Sequence, residues 1–208
     1  MKMYLSSYRL GNNPEKLLEL AGTNKRVAVI PNARDYSNDI ERRNTGVQKE
    51  IDDINNLGLQ AEEIDLRKYF GKPKELERKL SEFGIVWVIG GNVFVLRRAF
   101  KESGMDKWII KQKNNHEFVY AGYSAGVCIL SPSLRGLELV DDPIAVGEGY
   151  PKETIWDGLG LIDFAFAPHF ESPGHPETEA IGRVVEYYKK TGIKFRALHD
   201  GEVIIIDN

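Results

Sequence analysis

The sequence predicts an α/β fold, a three-layer sandwich with a mostly parallel central sheet and helices on both faces. Three observations carry this. Short apolar, β-rich runs alternate with segments of helical periodicity along the 208 residues. The run Ile85-Val86-Trp87-Val88-Ile89 is apolar throughout, as expected of a strand buried on both faces of a parallel sheet. Finally, Gly122-Tyr123-Ser124-Ala125-Gly126 follows directly on the apolar Phe118-Val119-Tyr120-Ala121, the composition of a sharp strand-to-helix turn.

The elements follow in order. Met3 to Ser6 reads as a first strand. Pro14 to Ala21 reads as a helix, with Pro14 near its first position and Leu17, Leu18 and Ala21 on one face. Arg26 to Ile30 is a second strand, ended by Pro31-Asn32. An amphipathic stretch from Ser37 to Leu57 carries Ile40, Val47, Ile51, Ile54 and Leu57 and is stopped by Gly58. Glu62 to Leu66 reads as a third strand, and Pro73 to Phe83 as a charged helix before Ile85. After Gly90-Gly91-Asn92, helices are expected over Val93 to Ser103 and Asp106 to Lys113. The strand at Phe118 leads into the serine turn and a short buried helix, Val127-Cys128-Ile129-Leu130. Between Pro132 and Gly160 the pattern is irregular. Phe164 to Ala167 is a strand, Pro176 to Thr191 a helix ended by Gly192. The Asp200-Gly201 turn between Phe195–His199 and Glu202–Ile206 predicts a C-terminal hairpin. No repeat, low-complexity segment or linker interrupts the chain, so residues 1–208 read as a single domain.

Composition narrows the classes of function. Hydrophobic residues make up 42% and charged residues 28%, an ordinary globular balance. The net charge of −3 gives no basic footprint, so a nucleic-acid partner is not expected. Glu41-Arg42-Arg43 reads as a solvated helix face. No apolar run approaches the roughly 20 residues needed to span a bilayer, so no membrane partner is expected. Met1 to Ser7 is too short and polar for a signal peptide. Cys128 is the one cysteine, so no internal disulfide can form, and a cytoplasmic location is expected. A homodimer is compatible with the sequence, but apolar helix faces bury against a sheet as readily as against a partner.

The serine turn points to acyl transfer or hydrolysis. Its glycines let the chain turn sharply and present the Ser124 hydroxyl at a helix N-terminus, where backbone N–H groups can hold a developing oxyanion. A serine needs a base, and the base needs an orienting partner. Of the four histidines, His116 lies at the wrong end of the sheet and His199 sits beside a turn. His175, in Pro173-Gly174-His175-Pro176, is placed to cap a helix or line a pocket. His169 ends a buried strand on the same side as Ser124 and is the candidate base. The carboxylate is expected in the irregular segment, where Asp141, Asp142 and Glu148 stand nearly level. Gly90-Gly91-Asn92 lacks the spacing and lysine of a phosphate loop, and an oxyanion-binding turn explains its glycines better. Each motif also has a structural reading: a tight turn with a small residue, a core histidine, an aspartate pair that starts a turn before Pro143. The coincidence of three segments at carboxyl ends of strands favours the chemical one.

In their order and spacing, Ile89-Gly90-Gly91-Asn92-Val93-Phe94, Ala121-Gly122-Tyr123-Ser124-Ala125-Gly126, Asp141-Asp142-Pro143-Ile144 and Ala167-Pro168-His169-Phe170 resemble the peptidase E (aspartyl dipeptidase) family of serine peptidases. That family is similar to cyanophycinases and has a fold like class I glutamine amidotransferases. The resemblance covers nearly the whole chain. It implies Ser124 as nucleophile, His169 as base, Asp141 as the acid, and Gly91 and Ala125 as oxyanion donors. It implies a small peptide substrate; a serine mechanism needs no metal or organic cofactor, and the sequence shows no metal-ligand spacing. Two positions depart from the family pattern. Val93 stands where a threonine is usual, and Glu179 stands where aspartyl dipeptidases carry an arginine that pairs with the substrate's aspartate; Arg183 lies one turn further. A carboxylate repels an acidic side chain, so the resemblance carries over the catalytic machinery and leaves the aspartyl specificity open. Asn92, Tyr123, His175 and Glu179 are the candidate pocket residues. Two other readings compete with a serine peptidase acting through an acyl-enzyme: a glutaminase or amidotransferase-like enzyme using Cys128, and a non-catalytic binding protein retaining the fold.

Overall fold

A computed structural model describes residues 1–207. Its main sheet has six strands in the order β3-β2-β4-β5-β1-β8. These are β1 (Lys2–Ser6), β2 (Arg26–Ile30), β3 (Gln60–Glu63), β4 (Ile85–Val88), β5 (Val119–Tyr123) and β8 (Val203–Ile206). All neighbours are parallel except β1 and β8, which run antiparallel. A second, two-stranded parallel sheet pairs β6 (Ala165–Ala167) with β7 (Phe195–Ala197).

Side chains alternate across the strands, so each buried strand feeds two cores. Tyr4, Val27, Val29, Ile85, Trp87 and Tyr123 pack with Leu17 and Leu20 of α1 (Glu15–Leu20) and Val47 and Ile54 of α2 (Ile40–Asn56). Met3, Leu5, Ile30, Val86, Val88 and Tyr120 face the other way. There they meet α3 (Pro73–Leu80), α4 (Val93–Ser103), α5 (Met105–Lys111), α6 (Ala125–Cys128) and α7 (Thr178–Thr191). The expected three layers are therefore present. Among the described residues no helix is long and apolar enough to cross a membrane.

Two expectations need correction. The third strand ends at Glu63, and Leu66 begins a 3-10 turn. Asp65 starts that turn by accepting the N–H of Arg67 and pulls the chain out of the ladder. The C-terminal hairpin does not form. The two strands flanking Asp200-Gly201 enter different sheets, β7 beside β6 and β8 beside β1. A Gly-containing turn reverses a chain locally, but what each strand pairs with is set by which unpaired edge lies next to it.

Register aligns the carboxyl ends of the central strands. Gly122 of β5 sits level with Leu5 of β1 and Val88 of β4, and Val88 with Ile30 of β2. The segments that leave these four ends therefore converge on one rim.

Candidate active site

Ser124 is the first residue past β5 and has φ 49° and ψ −118°, a conformation that strains any residue with a Cβ. It is held because β5 must turn at once into α6. The N–H groups of Val127 and Cys128 donate to the Ser124 carbonyl and close the first helical turn. Gly126 makes the turn fit, since a Cβ there would overlap the Val88 carbonyl of β4. Ala125 opens α6, so its N–H is among those with no partner inside the helix. Gly90 lies against the serine: a Cβ on Gly90 would come within 3.0 Å of the Ser124 Cβ.

His169 follows β6 and is buried, with φ 58°. Its Nδ1 lies 2.6 Å from Oδ1 of Asp200, which follows β7. The parallel pairing of β6 and β7 produces this contact, because it brings both carboxyl ends to the same side. The ladder continues past the strands, with Leu198 N–H donating to Ala167 and Phe170 N–H to Leu198. Ser7, just past β1, ties the pair to the main sheet. Its Oγ accepts the His169 N–H at 2.9 Å and lies 3.2 Å from Asp200 Oδ1. The Asp200 N–H donates to Ser172 Oγ.

The imidazole is flanked on one face by His175, with ring centroids 3.7 Å apart and planes within 5°. Tyr8 contacts both rings edge-on. Burial holds His169 below the ordinary histidine range; Asp200 opposes this and His175 reinforces it. The neutral imidazole is thus the favoured form, as a proton acceptor requires. Side-chain atoms of His169, His175 and Glu177 lie within 4.8 Å of one another. Within this group His175 Nδ1 accepts the Glu177 N–H, and His169 Nδ1 is engaged by Asp200.

Ser124, His169, Gly90 and Gly91 line one cleft of about 800 Å³, together with Tyr123, His175 and Glu177. Another part of its wall carries Arg9, Arg34, Arg42, Arg43 and Lys49 interspersed with Asp39 and Glu41. Burial pushes Glu177 above the usual carboxylate range.

Several sequence assignments change here. Asp141 is not the partner of His169. Its carboxylate lies against the start of α4 and accepts the Val93 N–H at 2.8 Å. Burial pushes it up to about 7, against the stabilising effect of that hydrogen bond. Asp142 is exposed and accepts the Ile144 N–H, and Glu148 is exposed. Asn92 is a helix cap: its Oδ1 accepts the N–H groups of Phe94 and Val95, and its Nδ2 donates to the Asp142 carbonyl. Glu179 is exposed and outside the cleft, whereas Glu177, which the sequence reading passed over, lines it. Cys128 is buried, donates its S–H to the Phe166 carbonyl and is driven well above the thiol range by burial. It is unsuited to nucleophilic attack.

An α/β sandwich with a strained serine turn at the sheet rim, and a carboxylate-bound histidine in the same cleft, defines the hydrolase class that acts through serine. The profile of peptidase family S51 matches residues 6–208, and the chain belongs to that family of serine-type peptidases. It is 32% identical over 142 residues to an uncharacterized peptidase of Listeria monocytogenes, covering 67% of this chain and 64% of that protein. The match thus spans just under two thirds of that relative. An uncharacterized peptidase of Pasteurella multocida is 26% identical over 92% of this chain and 86% of its own. A crystal structure provisionally described as peptidase E, from Listeria monocytogenes EGD-e, superposes with a TM-score of 0.74 at 25% identity. It covers 100% of this chain and 98% of the other.

Proposed function

We propose that this chain hydrolyses small peptides in the manner of a dipeptidase, with Ser124 as nucleophile, His169 as base and Asp200 as the orienting acid. The observation that carries the reading is the 2.6 Å contact of His169 Nδ1 with Asp200, which leaves Nε2 as the proton-accepting nitrogen. Ser124 Oγ attacks the substrate carbonyl and passes its proton to Nε2. The N–H groups of Gly91 and Ala125 receive the oxyanion; one such donor is worth about 3 kcal/mol of barrier. His169 returns the proton to the leaving amine as the C–N bond breaks. Water then attacks the acyl-enzyme through the same base, releasing the acid and restoring Ser124.

The cleft volume suits a substrate of dipeptide size. Glu179 faces solvent outside the cleft. The test is intact-mass detection of a fluorophosphonate adduct, followed by hydrolysis of a dipeptide library with and without N-terminal Asp. One adduct on wild type, lost in Ser124→Ala and strongly slowed in His169→Ala, supports the reading. No adduct with a small reagent on the folded protein overturns it.

A further inference from the structure

Arg34 lies in a 3-10 turn just past β2, far in sequence from both catalytic motifs. Its Nε donates to the Gly90 carbonyl at 3.2 Å, and its Nη2 donates to the Tyr123 hydroxyl at 2.8 Å. The Tyr123 hydroxyl donates in turn to Glu50 Oε1 at 3.0 Å. Trp87 Nε1 donates to Glu50 Oε2 at 3.3 Å. Glu50 is 1% exposed, and its carboxylate is held by these buried donors. Nothing in the proposed chemistry uses Glu50, and burying a carboxyl group is costly unless it is hydrogen-bonded, which Tyr123 and Trp87 supply here.

What the network grips is specific. Tyr123 is the residue before Ser124. The Gly90 carbonyl belongs to the same peptide unit as the Gly91 N–H, and the chain has no cis bond among its described residues. In a planar trans peptide, C=O and N–H point in opposite directions. Fixing the carbonyl toward Arg34 therefore turns the Gly91 N–H away from it, while Gly90 itself lies against Ser124. Gly46, inside α2, makes room for the guanidinium: a Cβ there would stand 2.5 Å from Arg34 Nη1. Glycine inside a helix costs about 1 kcal/mol relative to alanine, and this packing explains its presence.

We propose that Arg34 is a positioning residue for the oxyanion-binding peptide, braced by Tyr123 and Glu50, so that the donor loop and the serine turn move as one piece. The proposal rests on Ser124 being the nucleophile. Arg34 also lines the cleft, so the alternative is that it binds an anionic group of the substrate.

The experiment measures the second-order rate of Ser124 phosphonylation with an uncharged alkyl fluorophosphonate, for wild type, Arg34→Met and Arg34→Lys, with thermal melts as a fold check. The phosphonyl oxygen needs the oxyanion donors but offers Arg34 no charge. Misorienting one donor should slow labelling by about tenfold or more, part of the 10²–10³ lost when a donor is removed. Arg34→Lys should fall between, because one ammonium can still reach the carbonyl. Labelling of Arg34→Met within twofold of wild type overturns the proposal. Slowing seen only with a carboxylate-bearing probe also overturns it and makes Arg34 an anion contact. If Arg34→Met does not fold, Arg34→Gln is read instead, since its amide keeps polarity in the site but lacks the reach and paired donors of the guanidinium. Slower labelling at an undiminished melting temperature supports the proposal, and an unchanged rate overturns it. Absence of any adduct on wild type overturns the serine reading as well, so the two failures are distinguishable.

Discussion

The Asp200 carboxylate meets His169 Nδ1 at 2.6 Å across 31 residues of chain, and Ser7 Oγ touches both residues. The segments that leave the parallel strand pair β6 and β7 carry the histidine and the aspartate, and the residue just past β1 supplies the link between them.

Asp200→Asn keeps the shape of this contact but no longer favours the tautomer with Nδ1–H. The expected result is a fall in kcat of about 10²–10⁴ with KM changed only a few-fold. Steady-state kinetics on the best dipeptide of the library measures it. A loss below threefold would remove Asp200 from the proposed triad.

The acid limb of the pH profile reports the free-enzyme histidine. His169 is held below the ordinary range by burial, with His175 adding to the effect. Activity should therefore persist below pH 6.5, falling only as pH drops through the depressed value. His175→Gln removes the neighbouring charge, so the limb should move to higher pH. A limb that stays put would show that His175 does not act on His169 electrostatically.

Asp141 carries a stability signature of its own. Its folded-state value is raised to about 7 from the ordinary 3.8. The folded protein then binds more protons than the unfolded chain between these values, so this group's contribution to stability falls as pH rises from about 4 to 7. Asp141→Asn keeps an acceptor for the Val93 N–H without the charge. Its stability relative to wild type should grow over that window, by up to about 4 kcal/mol at the shift given. Urea denaturation of both proteins at pH 4.5 and 7.5 checks this; a pH-independent difference would contradict it.

Gly126→Ala places a methyl group on the Val88 carbonyl of β4. Neither partner can yield easily, because one is in the central sheet and the other in the turn that follows the serine. We expect a destabilisation of about 2–4 kcal/mol, at the upper end for a single substitution. Chemical denaturation measures it, and a loss below 0.5 kcal/mol would mean that the turn relaxes.

Local patterns made much of this legible. Ile85 to Ile89 betrays a doubly buried strand because no polar residue interrupts it, and Ser124 is found by the glycines that its turn requires. His169 follows from its place at a strand end. The contact of Asp200 with His169 is not legible in the sequence, because Asp200-Gly201 has the composition of a hairpin turn, and a hairpin would leave Asp200 as a turn former. Only the parallel pairing of β7 with β6 converts that position into a neighbour of His169. The family pattern points to Glu179 because that position matches the arginine of aspartyl dipeptidases, whereas the carboxylate that lines the cleft is Glu177, the residue just before α7. Arg34 has no sequence signal of its own, although Gly46 inside a helical pattern hints that something large passes close by.

By itself the sequence determined the alternation of strands and helices, the doubly buried core, the serine turn and the histidine that faces it. These depend on hydrophobic period and on backbone conformations that few residues can adopt, both local properties. The tertiary structure decided which carboxylate meets His169, which glutamate lines the cleft and which arginine grips the Gly90 carbonyl. Those contacts join side chains from separate strands, and their geometry is set by strand order and direction, which depend on how the whole chain packs.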